Sequence, residues 1–236
     1  MTLVSGGGNV SSMTTTSHHH DLRASVAAAS RTLAEHGLLI GTAGNVSARR
    51  GDVVAVTATG AVLADATVDD VTVVDLSGAV VEGFLAPTSE LALHLGVLRA
   101  APPDRVAAVV HTHAPKATAL SLVLDELPVV HYQQLTLGGA LRVAPFHAFG
   151  TPELAAAVGA ALDGRLAALM ANHGAVALGP DLAGAIENAL LLEWLADLYL
   201  RAAVVGVPRP LDDAQQQAVI AHATRLGYGT TKRVSA

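Results

Sequence analysis

Two short apolar runs, Val106 to Val110 and Ala167 to Met170, each lead directly into histidines. No other feature limits the fold of this chain as much. A run of four or five apolar residues bounded by turn residues reads as a strand buried on both faces. Side chains two apart on a strand share a face. His111 and His113 therefore project together, at the point where Ala114-Pro115 stops the first strand. Asn172-His173-Gly174 stands at the end of the second run in the same way. Two imidazoles at a strand end suit a metal pincer, and His173 is the natural third ligand. Three neutral imidazoles with one open position make a catalytic type of zinc site. The spacing of the pair alone fits equally well two sheet histidines satisfied by backbone partners.

Composition narrows what such a site can serve. The 236 residues suffice for one large domain with a sizeable core. Only 3% of residues are aromatic and the net charge is −6 with no Lys/Arg cluster, which counts against nucleic acid and anionic membranes as partners. Cysteine is absent, so a metal must be held by His, Asp or Glu. The most apolar segment, Ala189 to Val207, carries Glu193, Asp197 and Arg201 at i, i+4 and i+8. That stripe predicts an amphipathic helix and not a membrane span. With no basic-then-apolar leader at the N-terminus, a cytoplasmic address is expected.

Along the chain, residues 1–20 read as a disordered tail, with His18-His19-His20 given no role, and residues 21–236 as a single domain. Asp21 can cap a helix to about Glu35, with Leu22, Val26, Ala29 and Leu33 as its apolar stripe. Gly41-Thr42-Ala43-Gly44-Asn45-Val46-Ser47 suits either a plain turn or a loop whose N–H groups approach an anion. Val53 to Thr57 is a strand, Thr59-Gly60 a turn, and residues 71–82 two short strands. Thr88 or Ser89 can cap a helix to about Arg99, with Glu90 in its first turn. Ala114 to Leu122 reads as a helix, Val129 to Tyr132 and Leu141 to Val143 as strands. Thr151-Pro152, Asp181 and Asp212 open three further helices.

Together these segments resemble the class II aldolase/adducin family, most closely its L-fuculose-1-phosphate aldolases. The matching motifs, in order, are Gly41 to Ser47, Thr59-Gly60, Pro87-Thr88-Ser89-Glu90, Val109 to His113, Val130-His131-Tyr132, Ala144-Pro145 through Phe149-Gly150-Thr151, and His173-Gly174. They span about residues 21 to 230, and their order and spacing make the match specific. The resemblance implies a three-layer α/β/α fold with a central, mainly antiparallel sheet, assembled as a homotetramer. It implies zinc on His111, His113 and His173, although imidazoles also suit manganese or cobalt. It implies Glu90 as base, Tyr132 as an acid reaching a neighbouring subunit's site, and Tyr228 as a further catalytic residue on a mobile C-terminal segment. Thr42, Gly44, Asn45, Thr59, Gly60, Thr88 and Ser89 would hold a phosphate, and Phe149 would lie near the aldehyde end. Thr88 replaces a Ser of many aldolases and keeps the hydroxyl.

The expected activity is zinc-dependent cleavage of a ketose 1-phosphate to dihydroxyacetone phosphate and a small aldehyde, with L-fuculose 1-phosphate or 5-deoxyribulose 1-phosphate as substrate types. Ribulose-phosphate 4-epimerases of the same family usually carry Asp where Glu90 stands. Methylthioribulose-phosphate dehydratases and phosphotetronate decarboxylases keep the histidines and a Glu. Adducin-like heads, interaction modules without catalysis, are expected to lack the ligand set.

Overall fold

The strands of this protein alternate so regularly that one sheet serves two cores. The structure, a computed structural model, describes residues 10–227, with side chains from His19 onward. Nine strands form the sheet: β1 (Asn45–Arg50), β2 (Val53–Thr57), β3 (Val71–Asp75), β4 (Val80–Glu82), β5 (Ala108–Thr112), β6 (Glu126–Leu127), β7 (Leu141–Ala144), β8 (Ala167–Met170) and β9 (Gly174–Gly179). Their spatial order is β4-β3-β2-β1-β5-β9-β8-β7-β6. The pairs are antiparallel apart from β7 with β8, which run parallel.

In β5, Ala108 and Val110 enter one core and Val109 the other. Ala167 and Leu169 part from Ala168 and Met170 in the same manner, as do Ala175 and Ala177 from Val176 and Leu178. The first core is closed by α1 (Val10–Glu35), α3 (Pro115–Ser121) and α5 (Leu182–Val205), the second by α2 (Leu91–Ala100) and α4 (Pro152–Ala161). The three-layer architecture expected from the resemblance is present. Each fully buried Leu, such as Leu33, Leu98, Leu120 or Leu192, contributes roughly 1.5–3 kcal/mol relative to exposure, so tertiary burial holds these helices in place. A last helix, α6 (Asp213–Leu226), buries no residue fully and packs on a 3-10 turn at Tyr132–Leu137. Among the described residues no helix is long and apolar enough to cross a membrane.

The caps expected at Thr151, Asp181 and Asp212 all accept a backbone N–H of the first turn. Elsewhere the structure departs from expectation. Helix α1 starts at Val10, not at an Asp21 cap, and so overlaps the tail expected over 1–20. No Gly or Pro stands between Val10 and Glu35 to stop it. His19, given no role, lies 2.9 Å from Glu82, and Arg23 donates to the other oxygen of that carboxylate and to Val71 O. Val129 to Tyr132 is not a strand. Pro128 precedes it, and the buried Gln134 side chain donates to Leu127 O and Pro128 O and accepts from Val130 N. That side chain satisfies the backbone groups a neighbouring strand would otherwise take. Neither Thr88 nor Ser89 is the cap of α2: Glu90 is its N-cap residue, and Thr88 Oγ1 accepts from Glu90 N.

Glu193 also leaves its expected place on a polar stripe. It is buried, and its two oxygens accept from Lys116 N and Ala117 N at the start of α3. Helix α3 begins two residues after His113, so this carboxylate from α5 anchors the exit of β5. Glu193→Ala strands two buried donors, at a cost of about 1–3 kcal/mol. The expected result is a melting temperature lower by several degrees, measured by calorimetry; an unchanged value would mean these bonds do not hold α3.

Candidate metal centre

The pairing of β1 with β5 builds the site. Asn45 stands opposite His111 and Ser47 opposite Val109, and cross-strand partners project from the same face. Val109 enters the core beneath α2 and α4, so Asn45, Ser47 and His111 point to that side. His113, just past the end of β5, keeps the same parity. The β8–β9 hairpin then returns His173, whose turn lies between the paired residues Met170 and Gly174. Two local features press this turn against β5. Asn172 has φ +55, a left-handed conformation that Asn tolerates better than most side chains. A Cβ on Gly174 would stand 2.2 Å from Thr112 O, so only glycine admits this approach.

The three rings meet edge to face, with centroids 4.8 to 4.9 Å apart, and one nitrogen of each lies within 4.8 Å of the others. Tetrahedral ligands at about 2.0–2.1 Å from an ion stand roughly 3.4 Å from one another, so small ring rotations close the set. His111 Nδ1 faces Ala175 O at 3.0 Å, which directs its Nε2 lone pair to the centre, as a second partner commonly does for a ligating imidazole. That Nε2 lies 3.0 Å from His113 Nε2. Two lone pairs so close require a shared proton or a cation between them.

Glu90 completes the arrangement. It is 5% exposed, with Oε2 3.2 Å from His111 Nε2 and accepting from Asn45 Nδ2 at 2.9 Å. Oε1 lies 3.7 Å from His173 Nε2 and, though buried, has no hydrogen-bond partner. Burial works to raise the pKa of this carboxyl, but the hydrogen bond and charge of His111, the Asn45 amide and the charge of His173 prevail and hold it at about 2. Burial, with the charges of His111 and His173 adding and Glu90 opposing, pushes His113 down to about 4. Burial and the charge of His111, again against Glu90, also lower His173. Both rings are neutral at pH 7, the state a metal ligand needs. Three lone pairs and an unpartnered carboxylate oxygen around one point fit a divalent cation.

Behind Glu90 lies a group that the sequence reading passed over. His94 is fully buried one helical turn beyond Glu90, with Nε2 2.5 Å from Asn45 Oδ1 and Nδ1 2.6 Å from Ser47 Oγ. Burial and the charge of His111, against that of Glu90, push it down to about 3. The i, i+4 spacing of Glu90 and His94 was the available signal.

A cleft of about 720 Å³ opens over the centre. Thr42, Gly44, Asn45, Thr59, Gly60, Thr88 and Ser89, from three separate segments, all line it, as do Glu90, His113, His173 and Phe149. His111 is wholly buried beneath it. Among the described residues no Lys or Arg lines it; Asn172 does, as do Phe146 and His147, which carry no expected role. Tyr132 does not. It lines a separate hollow of about 900 Å³ with His131, Leu211 and His222. Tyr228 lies outside the described residues.

The family model described as Class II Aldolase and Adducin N-terminal domain matches residues 24–200. The chain is 38% identical over 200 residues to a 5-methylthioribulose-1-phosphate/5-deoxyribulose-1-phosphate aldolase of Rhodospirillum rubrum, covering 84% of this chain and 89% of the relative. It is 37% identical over 185 residues to the L-fuculose phosphate aldolase of Escherichia coli K12, covering 78% and 85%. Among solved structures, an L-fuculose 1-phosphate aldolase superposes with a TM-score of 0.81 at 32% identity, over 86% of this chain and 96% of that one.

Two predictions follow from the geometry. Asn172→Val puts a β-branched residue at positive φ, at a cost of roughly 1–3 kcal/mol, and should lower metal content; Asn172→Gly should keep it, as judged by elemental analysis. The second concerns acid. The unfolded chain protonates these rings near pH 6.5, whereas the folded chain keeps His113 neutral to about 4 and His94 to about 3. The unfolded state binds more protons in that window, so the metal-free protein loses stability as pH falls from about 6.5 toward 4. Below 4.5 the lowered Glu90 adds to the loss. Thermal melts after chelation, between pH 4 and 8, check this; a melting temperature constant from 7 to 5 contradicts it.

Proposed function

The chain belongs to the class II aldolase and adducin family, and on that footing we propose that it is a zinc-dependent lyase for ketose 1-phosphates. It interconverts such a sugar with dihydroxyacetone phosphate and a small aldehyde. The convergence of three imidazoles and Glu90 on one end of a cleft lined by hydroxyls and glycines carries this reading. The relatives' names, 5-deoxyribulose-1-phosphate and L-fuculose phosphate aldolase, support the substrate class.

His111, His113 and His173 would hold the ion, which when bound supplies a Lewis acid for negative charge developing on the carbonyl oxygen. In the bond-forming direction Glu90 takes the proton from the carbon beside the ketone of dihydroxyacetone phosphate. The electron pair released forms the new bond to the aldehyde carbon. The aldehyde oxygen then needs a proton, and the partner subunit's Tyr132 donates it. Cleavage runs the same transfers backwards. Substrate filling the cleft removes water from Glu90 and raises its proton affinity, which suits it as a base. The phosphate is bound by Thr42, Thr59, Thr88 and Ser89 hydroxyls with the backbone at Gly44 and Gly60, a neutral cradle consistent with a cleft lined by no Lys or Arg among the described residues. Phe149 lies beside the aldehyde, and Tyr228 is a further catalytic residue of this reading. A homotetramer is part of this reading. Tyr132 is 42% exposed and outside its own chain's cleft, and Phe84 and Val205 are at least 90% exposed.

Product analysis after incubating the zinc-loaded protein with dihydroxyacetone phosphate and an aldehyde panel tests the activity. New ketose 1-phosphates are expected; ketopentose phosphate interconversion without carbon–carbon bond formation would move the assignment to an epimerase. Glu90→Gln and Tyr132→Phe should each lower kcat about 10²- to 10⁴-fold with metal retained. Mixed assemblies of the two variants should recover part of the activity, because some sites then pair an intact Glu90 with an intact Tyr132. No recovery would rule out Tyr132 acting in a neighbouring subunit's site; undiminished kcat in Tyr132→Phe would place it outside the reaction.

A further inference from the structure

His94 has no part in the chemistry above, yet none of its surface is exposed and both ring nitrogens are engaged. It belongs to a line of four buried side chains from two elements: Ser47 and Asn45 on β1, His94 on α2, and Glu90 at the head of α2. The polarity of this line has one solution. An ionised carboxylate only accepts, so the Asn45 atom 2.9 Å from Glu90 Oε2 is the amide nitrogen. The Asn45 oxygen then faces His94, whose Nε2 must carry a proton and donate it. His94 Nδ1 keeps its lone pair, and the Ser47 hydroxyl donates to it at 2.6 Å.

We propose that His94 is a positioning residue which, through Asn45, holds the Glu90 carboxylate with Oε1 free toward His173 and the cleft. The two orientations of an asparagine amide are nearly equal in shape, so packing cannot choose between them. A neutral imidazole protonated on Nε2 can. With the amide reversed, its oxygen would face the carboxylate and repel it. The strand register makes the line continuous, since Asn45 and Ser47 share a face and His94 sits one turn beyond Glu90. Asn45 is thereby shared: one of its N–H groups serves Glu90, while the residue still lines the phosphate end of the cleft.

This inference rests on Glu90 as the base, and the measurements separate the two. Ring ¹⁵N shifts of the zinc-loaded protein, assigned through bonds, should show His94 neutral with its proton on Nε2. A proton on Nδ1 overturns the proposal, whatever any variant does. His94→Phe should lose about 10- to 100-fold in kcat, with KM and metal content unchanged. His94→Gln, which can present an N–H to the Asn45 oxygen, should recover most of that loss. Undiminished kcat in His94→Phe, metal loss in step with activity, or no recovery in a folded His94→Gln also overturns it. The base assignment fails on a different result, full turnover by metal-loaded Glu90→Gln, which would leave the tautomer standing.

Discussion

A carboxylate removed from water among three imidazoles is the constraint that organises this protein. An unpaired buried charge costs several kcal/mol, and Glu90 is bearable only because Asn45 and His111 contact one oxygen and His173 lies near the other. Each partner arrives by a different route. Asn45 comes from β1, Glu90 from the head of α2, His111 from β5 and His173 from the hairpin after β8. The fold therefore has to be complete, across sheet and helix layer together, before the charge is compensated.

The two cores divide this labour unequally. The core under α1, α3 and α5 is apolar in the strands' alternate positions and carries no part of the site. The face under α2 and α4 is apolar over most of its area, and where β1 and β5 meet α2 it becomes polar. Ser47, Asn45, His94 and His111 take up positions that elsewhere on this face hold Val, Leu or Met. A site built on strands and a helix start is held more rigidly than one carried on loops. The end of the cleft proposed to take phosphate, in contrast, is built largely from turns.

Much of the fold and the centre could be read from the chain, for a physical reason. Strands with apolar residues on both faces, glycine stops and hydroxyl caps are local signals, and they identified β2, β3, β5, β8 and the starts of α4, α5 and α6. The histidines were legible because each follows such a run. Most of what escaped depends on distant partners. Gln134 replaces a neighbouring strand for Val130, and Glu193 is buried because α3 presents N–H groups to it. β9, at the centre of the sheet, begins at Gly174 directly after His173; Ala175 to Leu178 is an apolar run between glycines, a strand signal that stood in the chain but was not among the expectations. The adaptation of His94 needs both the β1–β5 register and the Glu90 spacing, and neither is visible in one segment. Tyr132 entered by resemblance alone, and its role in a neighbouring subunit's site belongs to the proposed function.

The opposition of Asn45 to His111 across two strands carries a consequence for how such a chain can change over generations. Substitution on the outward positions of β1 or β5 leaves the facing order intact. Insertion or deletion of a single residue inside either strand reverses it, turning the amide or the imidazole into the opposite core. Length variation is therefore tolerable in the exposed turn around residues 76–79 and lethal to the site between 45 and 50 or 106 and 113. Lineages descending from this architecture should diverge freely in spelling there and hardly at all in spacing.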